Sequence, residues 1–379
     1  MNQSKITMIH YDFIVVGGGP AGSACATVLA RNDRKVLLLE KAKFPREKIC
    51  GECINPRCWE LFEMLGVNEG IRARHPKPIL EVAIMNRTGT KIRMKVPFAT
   101  HRPFIAMKRS VLDDVLMRNA ESAGVEVREQ TTVQNIEQTS EWKISAFDFS
   151  KNNEEIFSGR MLIGADGRNS IVAQSLNRKP AQTVTKEKRR IGLQWHIHAI
   201  PSIKNSVEML LFTGGYCGIV NVNDECATVA MVTSSELAGL ARHDFTTFLS
   251  RTIWTNPTAR KKFGEMDPIT DTLSAFPITP RWYDHNSPGA FLVGDAHRTV
   301  EPFTGEGIYF ALKDGIETAQ SIVSSTESSR FGEHFHSTFW VNKVFSSILR
   351  RPPIADFLVT LGSRAGITLP IILRTVFPN

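Results

Sequence analysis

The residues best placed to do chemistry lie near the start of the chain, where Gly17, Gly19 and Gly22 follow a G-x-G-x-x-G spacing. Glycines in this pattern allow a tight turn and let backbone amides approach a bound pyrophosphate. A helix that begins in such a turn, here at Pro20 and Ala21, points unpaired amides and the positive end of its dipole at the phosphates. The spacing therefore predicts a dinucleotide-binding site.

The elements around these glycines agree with that prediction. The apolar run 13–16 before them predicts a buried strand, and the small residues of 23–30 predict a helix that packs closely on it. A second apolar strand, 35–39, ends at Glu40 and is followed by Lys41. An acid about 20 residues beyond the glycines accepts hydrogen bonds from a ribose hydroxyl, which favours an adenosine ribose without a 2′-phosphate.

Two more acidic turns follow apolar strands later in the chain. Asp166 and Gly167 come after the strand around 161–163, and Gly294 and Asp295 come after the strand around 290–293. Because the carboxyl ends of parallel strands lie at one edge of a sheet, we expect these residues to lie close together. Alone, Asp166-Gly167 is explained better by a capped turn.

The three motifs in this order resemble a known family. Together with Pro302, Gly305 and Gly307, they resemble the three-part FAD fingerprint of p-hydroxybenzoate-hydroxylase-type flavoproteins, over residues 12 to about 320. The resemblance implies an FAD cofactor, with Asp295 on the ribityl chain, Glu40 on the adenosine ribose and Arg109 on the phosphate side. It also implies that the helix opening at Gly305-Glu306-Gly307-Ile308 points its amides at the N1–C2=O edge of the flavin, where negative charge develops.

Within that superfamily, two stretches resemble the geranylgeranyl-reductase group, whose members saturate prenyl double bonds with reduced FAD. They are Phe44-Pro45-Arg46-x-Lys48-x-Cys50-Gly51-Glu52 and the run from Pro302 to Ala311. We therefore expect hydrogen transfer to or from a carbon–carbon bond of a lipophilic small molecule. The resemblance places Cys50 and Glu52 near the flavin, as candidates for the catalytic acid. An equally good interpretation makes Cys50 a packing residue and Glu52 a loop cap.

Other reactions remain open on the same fold. The main alternative is an NAD(P)H-dependent flavin monooxygenase that hydroxylates or epoxidises its substrate. Aromatic hydroxylases usually show Gly-Asp-Ala-Ala-His, and here His297 is displaced by one position. Flavin halogenases need W-x-W-x-I-P and a catalytic lysine; residues 194–201 lack the first Trp, so halogenation is not expected.

A third and less favoured reaction is disulfide exchange by Cys53 and Cys58, which have C-x4-C spacing. Enzymes of that type carry a second G-x-G-x-x-G for a nicotinamide cofactor, and none follows Gly22. For the same reason, we expect NAD(P)H or another reductant to bind transiently, or a separate protein to donate the electrons.

Composition narrows the possible partners and compartment. The 46 Lys and Arg against 38 Asp and Glu give a net charge of +8, spread along the chain, which indicates a solvated basic surface without nucleic-acid binding. We expect a cytoplasmic protein with reduced cysteines, since no secretory signal or membrane-length apolar run is present. We expect no metal site, because the cysteine cluster lacks a matching second pair. The C-terminal stretch 344–377 mixes apolar residues with arginines, which predicts a helical cap or peripheral contact with a membrane.

The pattern of strands and helices predicts an α/β fold. A discontinuous Rossmann-like FAD-binding domain would comprise 1–76, 105–188 and 286–330, and an inserted β-sheet substrate domain 77–104 and 189–285. A helical C-terminal segment, 331–379, would follow. Local predictions include helices at about 57–65 and at 109–122, a polar helix at 235–253, and a hairpin turn at 87–90.

Overall fold

The computed structural model describes residues 9–96, 102–177, 190–278, 281–283, 288–300, 302–324, 348 and 351–364. In chain order its strands are β1 His10–Val16, β2 Val36–Leu39, β3 Cys53–Ile54, β4 Lys77–Ile79, β5 Glu81–Met85, β6 Lys91–Lys95, β7 Phe104–Ala106, β8 Glu126–Arg128, β9 Thr131–Gln138, β10 Trp142–Asp148, β11 Asn153–Gly164, β12 Arg190–His198, β13 Ser206–Phe212, β14 Gly215–Asn221, β15 Cys226–Ser234, β16 Leu273–Ala275, β17 Arg281–Trp282, β18 Ala290–Leu292 and β19 Arg298–Thr299. Its helices are α1 Pro20–Ala30, α2 Cys58–Leu65, α3 Asn68–Arg72, α4 Arg109–Ser122, α5 Ile171–Ser175, α6 Ser235–His243, α7 Phe245–Arg251, α8 Pro257–Lys262, α9 Gly307–Ser324 and α10 Pro352–Arg364.

The first large sheet has the order β8-β2-β1-β11-β10-β9, with β18 beside β11. Strand β1 runs parallel to both β2 and β11, so the carboxyl ends of these strands share one edge. Helices α1 and α9 pack together so closely that a Cβ on Gly315 would lie 2.2 Å from the carbonyl oxygen of Ala21. This contact holds the start of α1 beside the region between β18 and α9.

The second large sheet has the order β16-β12-β15-β14-β13-β5-β6. Side chains alternate along its strands. On β12, Leu193, Trp195 and Ile197 belong to the core that includes residues of α6, α7 and α8. Gln194 and His196 therefore lie on the opposite face, where they contact Cys50 and Glu52. A third, small sheet has the order β3-β7-β4. Along the chain, its strands are interspersed with strands of the two large sheets.

The α/β fold predicted from the sequence is confirmed, including the discontinuous Rossmann-like unit and the separate β-sheet. The predicted helix at 109–122 coincides with α4, and the turn at 87–90 joins the antiparallel strands β5 and β6. The predicted helix at 235–253 is instead two helices, α6 and α7. The chain breaks there because the Asp244 side chain accepts a hydrogen bond from the Thr247 amide and starts a new helix. The domain boundaries stay a prediction.

Among the described residues, no helix has the length and apolar character needed to cross a membrane. Helix α10 belongs to the C-terminal stretch for which a cap or peripheral membrane contact is predicted. It lies against β6 and the 87–90 turn, where Asp356 pairs with Arg87 at 2.6 Å. Apart from Ile348 and Arg351, the remainder of that stretch lies outside the described residues.

Candidate FAD site

The glycine turn joins β1 to α1, and two of its glycines are required by close backbone packing. Gly17 has a φ of +103°, and a Cβ there would lie 2.5 Å from the carbonyl oxygen of Ala165 at the end of β11. A Cβ on Gly22 would lie 1.9 Å from the carbonyl oxygen of Gly17. The sequence spacing therefore reflects contact between the turn, the helix and the neighbouring strand.

Gly19 is different, because no backbone crowds it. It precedes α1, whose N-terminus begins with Pro20 and has no side-chain cap. A Cβ on Gly19 would lie 3.8 Å from Nη2 of Arg46 and 3.9 Å from Nζ of Lys48. The uncapped start of α1 thus faces two cationic side chains, a combination suited to a bound phosphate group.

These cations belong to a cluster that is only partly neutralised. Arg109 binds Asp113 through two hydrogen bonds, at 2.8 and 2.7 Å, and Arg46 reaches the same carboxylate at 3.0 Å. Burial lowers the pKa of Lys48, the charges of Arg109 and Arg46 lower it further, and Asp295 and Asp113 oppose this. Arg46 also lies 3.9 Å from Oε1 of Glu40, so Asp113 and Glu40 offset part of the charge of these three cations.

Glu40 ties the glycine turn to the end of β2. Its carboxylate accepts hydrogen bonds from the amides of Gly18 at 2.8 Å and Ala42 at 2.9 Å. Each carboxylate oxygen has a further lone pair, so the predicted bond to a ribose hydroxyl is compatible with these contacts. Lys41 beside it is exposed.

Asp166 caps a helix, as the local interpretation of its turn suggested. Its Oδ2 accepts a hydrogen bond from the Ile171 amide at 2.6 Å, at the start of α5, while buried Oδ1 has no partner among the described residues. Burial raises the pKa of this carboxyl group. Gly167, with φ +83°, follows, and a Cβ there would lie 3.6 Å from Nζ of Lys48. The second motif therefore borders the same cationic cluster as the first.

The Gly294–Asp295 turn is held from behind by Asp314 on α9. The buried Asp314 carboxylate accepts hydrogen bonds from the Gly294 amide at 2.8 Å and from Arg298 at 3.2 Å, and it lies 3.0 Å from Nδ1 of His297. Asp295 itself is only half-buried, with Oδ2 3.3 Å from Nε of Arg168. The turn thus leaves the Asp295 carboxylate accessible, while its neighbours are fixed.

The loop before α9 presents backbone to open space. A Cβ on Gly305, whose φ is +67°, or on Gly307 would have no heavy atom of the described residues within 4 Å. The carbonyl of buried Glu306 accepts the Phe310 amide, and Ile308 is buried in the core. Pro302 is exposed. A small open cleft lies beside the loop, and its lining includes Gly294, Asp295, Arg298, Gly307 and Asp314.

These features fit an FAD molecule. Packing among the described residues does not require glycine at positions 19 and 307, because a Cβ there would meet no backbone atom. A cofactor in the adjacent space would explain both glycines. Cationic groups converge at Gly19 and Gly167, where a pyrophosphate needs them. The structure therefore brings together the residues of all three motifs, although their individual contacts with FAD stay predictions.

The candidate acids Cys50 and Glu52 occupy different environments. Cys50 is half-buried; burial raises the pKa of its thiol, and the charge of Arg109 opposes this. Glu52 is fully buried, with a left-handed backbone φ of +56°. Its Oε1 accepts the Arg109 amide at 2.8 Å. Of the two residues, only Cys50 has solvent access, so Glu52 is better suited to holding the loop than to meeting a substrate.

The other oxygen of Glu52 is bound by the second sheet. Oε2 lies 3.0 Å from Nε2 of His196 and accepts a hydrogen bond from the Thr228 hydroxyl, and these two residues are direct cross-strand partners on β12 and β15. Two residues earlier on β12, Gln194 accepts the Cys50 amide at 2.7 Å. The sequence interpretation missed these residues. Their only signal was polar side chains at alternate positions in an apolar strand.

Cys53 and Cys58 do not form a disulfide, and all six cysteines are free. Burial raises the pKa of both thiols. Because the thiolate is the reactive species, both are poorly suited to exchange. No group of His, Cys, Asp and Glu able to hold a metal ion occurs in the part of the chain that the structure describes.

Comparisons with known proteins identify relatives of this chain. The chain is 26% identical over 333 residues to conditioned medium factor receptor 1 of Dictyostelium discoideum, an alignment covering 80% of this chain and 61% of that protein. It is 25% identical over 382 residues to the menaquinone reductase of Mycolicibacterium smegmatis, covering 96% of this chain and 91% of the relative. Flavin-dependent halogenases are similar at 22–28% identity.

Among solved structures, a geranylgeranyl bacteriochlorophyll reductase-like protein from Thermoplasma acidophilum superposes with a TM-score of 0.78 at 22% identity, covering 97% of this chain and 96% of that one. The sequence model of the FAD binding domain family matches residues 10–327. The expectation of an FAD-dependent oxidoreductase is thereby confirmed, and the chain belongs to the FAD binding domain family of flavoproteins.

Proposed function

We propose that this protein transfers hydrogen to a carbon–carbon double bond of a lipophilic small molecule, in the manner of geranylgeranyl reductases. The observation that carries the proposal is the apolar contact between the second sheet and the loop before α9. Tyr216 of β14 packs edge-on against Phe303, with ring centroids 5.1 Å apart. The substrate would therefore meet an apolar surface directly beside the proposed flavin position.

The surrounding residues have the same character. Val232 and Ile278 are buried with Tyr216, and further apolar residues of β13 pack against them. The partly buried members of this cluster, Leu211 and Phe303 among them, would provide burial for a hydrocarbon chain and few polar groups to bind a hydrophilic substrate. The similarity to a menaquinone reductase over 96% of this chain supports the same substrate class.

Bound FAD would supply a hydride equivalent after reduction. The Gly19 region would hold its pyrophosphate, and Asp295 would fix its ribityl chain. The second hydrogen must arrive as a proton, and half-buried Cys50 is the proposed donor because its raised pKa keeps the thiol protonated at neutral pH. We propose NAD(P)H, bound transiently, or a separate electron donor as the source of reducing equivalents.

A monooxygenase is the second candidate. The similarity to flavin-dependent halogenases and to aklavinone-11 hydroxylase, with a TM-score of 0.68, supports oxygen chemistry on this fold. The two reactions differ in one requirement: a monooxygenase consumes O₂, whereas hydrogen transfer to a double bond does not.

The test uses the FAD-loaded protein, reduced with dithionite without air, and geranylgeranyl diphosphate or a short-chain menaquinone as probe. We expect a product whose prenyl chain has gained two hydrogens at a carbon–carbon double bond to form anaerobically; reduction of the quinone ring, which dithionite performs without enzyme, does not count as this product. A product that appears only after air is admitted, and that carries oxygen, would support the monooxygenase. Cys50→Ala should slow anaerobic turnover while FAD binding persists, and the buried Cys217→Ala serves as a control.

A further inference from the structure

Helix α10 carries apolar residues on two neighbouring faces, and only one of them is packed. Ala355, Val359 and Gly362 are buried, at the i, i+4, i+7 spacing of one face. The structure exposes a second row, spaced i, i+3, i+4 and i+7: Ile354 at 40%, Phe357 at 64%, Leu358 at 42% and Leu361 at 47%. This row is called the outer face of α10.

The outer face is unusual for this protein. Ten large apolar side chains are exposed in the described part of the chain, and four of them lie on this one helix. Scattered exposed apolar residues need no explanation, but a contiguous row marks a contact surface. The helix is also firmly placed, because Asp356 pairs with Arg87 and accepts, through its carbonyl, a hydrogen bond from the Asn86 side chain at 3.2 Å. The outer face is thus presented by an anchored helix.

The charges around the outer face are positive. Exposed Arg351 and Arg364 flank the helix at its two ends. The whole chain carries a net charge of +8. An apolar row with basic ends is complementary to a lipid surface, which has an apolar interior and anionic headgroups.

We infer that the outer face of α10 docks on the surface of a membrane containing anionic lipids. Phe357 and its three apolar neighbours would enter the boundary between headgroups and acyl chains, and the flanking arginines would contact lipid phosphates. This contact would keep the protein at the membrane, in which a lipophilic substrate dissolves. The inference of membrane docking does not depend on the reaction proposed above.

The experiment measures sedimentation of the FAD-loaded full chain with vesicles of equal parts phosphatidylcholine and phosphatidylglycerol. We expect binding that weakens with added salt and that is lost with pure phosphatidylcholine. Phe357→Ser should reduce binding about tenfold. Phe149→Ser is the matched control, since Phe149 is 62% exposed in the turn that follows β10, and this variant should bind as the parent does.

Several results would overturn the inference. One is that the parent protein sediments with neither vesicle composition. Another is that the Phe357→Ser variant binds the anionic vesicles as tightly as the parent does. If only a variant ending at Arg364 bound vesicles, residues 365–379 would be the natural cover of the outer face. If Phe357→Ser instead turned a dimer into a monomer by sedimentation, the partner would be a second copy. Bound FAD, measured by absorbance, should remain equal in all variants, which separates this test from that of the reaction.

Discussion

Nε2 of His196 lies 3.0 Å from Oε2 of Glu52, and this contact joins two residues 144 positions apart. Glu52 follows the loop that borders the cofactor site, whereas His196 lies on the second sheet. With the Thr228 hydroxyl and the Arg109 amide, the carboxylate is bound on both oxygens in a fully buried environment. The contact fixes the Cys50–Glu52 loop against the sheet that would receive substrate.

Removing the imidazole should therefore destabilise the protein. His196→Ala leaves a buried carboxylate without one of its partners, and loss of a buried pair costs about 3–5 kcal/mol. We expect the free energy of unfolding in urea to fall by about 3 kcal/mol. His198→Ala is the control, because His198 is exposed two residues further on the same strand and should change stability by less than about 0.5 kcal/mol. Equal stability of the two variants would contradict a structural role for the contact.

The glycines of the site should separate into two classes. Gly307→Ala places a methyl group where no atom lies within 4 Å, at the start of a helix, so the apoprotein should be as stable as the parent or slightly more stable. If FAD occupies that space, its affinity should fall at least about tenfold. Gly19→Ala should behave in the same way.

Gly22→Ala is the contrasting variant. Its methyl group would lie 1.9 Å from the Gly17 carbonyl oxygen, so it should lower apoprotein stability as well as FAD affinity. Fluorescence titration with FAD and thermal unfolding of the apoproteins measure the two effects separately. Unchanged FAD affinity in both Gly19→Ala and Gly307→Ala would contradict the proposed position of the cofactor.

Local signals in the sequence were sufficient to predict the fold and the three motifs. The apolar strand before Gly17 and the acid at Glu40 lie within one strand–helix–strand unit, where spacing along the chain translates directly into geometry. The helix at 109–122 was predicted from one apolar face, and its limits agree with α4. Asp244 shows where this approach fails: one side-chain cap divides a continuous polar pattern into two helices.

The groups that support the site from other parts of the chain could not be predicted. Asp314, which holds the Gly294 turn, lies 20 residues beyond it, inside a helix of which the sequence motif marks only the start. His196 and Gln194 were visible only as polar residues in an apolar strand. Their partners, Glu52 and Cys50, depend on how two sheets meet, and a single sequence does not contain that information.

Cys53 and Cys58 should be unnecessary for electron transfer. Because burial raises the pKa of both thiols, neither forms a reactive thiolate readily at neutral pH. The double variant Cys53→Ala/Cys58→Ala should therefore take up the same number of electrons per bound FAD as the parent in an anaerobic dithionite titration. Uptake by the parent of a further electron pair, absent from the variant, would support the disulfide reaction instead.

Lys48 should make FAD binding depend on pH. Its pKa is lowered from 10.5, first by burial and then by Arg109 and Arg46. The protonated ammonium attracts the pyrophosphate, and the neutral amine does not, so FAD affinity should decline as pH rises through the lowered pKa. Lys48→Met should bind about tenfold more weakly at neutral pH, with a flatter pH profile.

Lys48→Arg provides the matched control, because a guanidinium keeps its charge throughout the range in which the protein is stable. Its FAD affinity should stay near that of the parent at neutral pH and should not decline where the parent's does. The measurement is a titration of apoprotein with FAD, followed by flavin fluorescence, at a series of pH values below 10.5. A parent profile that is flat over this range, or a Lys48→Met variant that binds FAD as tightly as the parent, would remove Lys48 from the phosphate site and leave Arg46 and Arg109 as its cations.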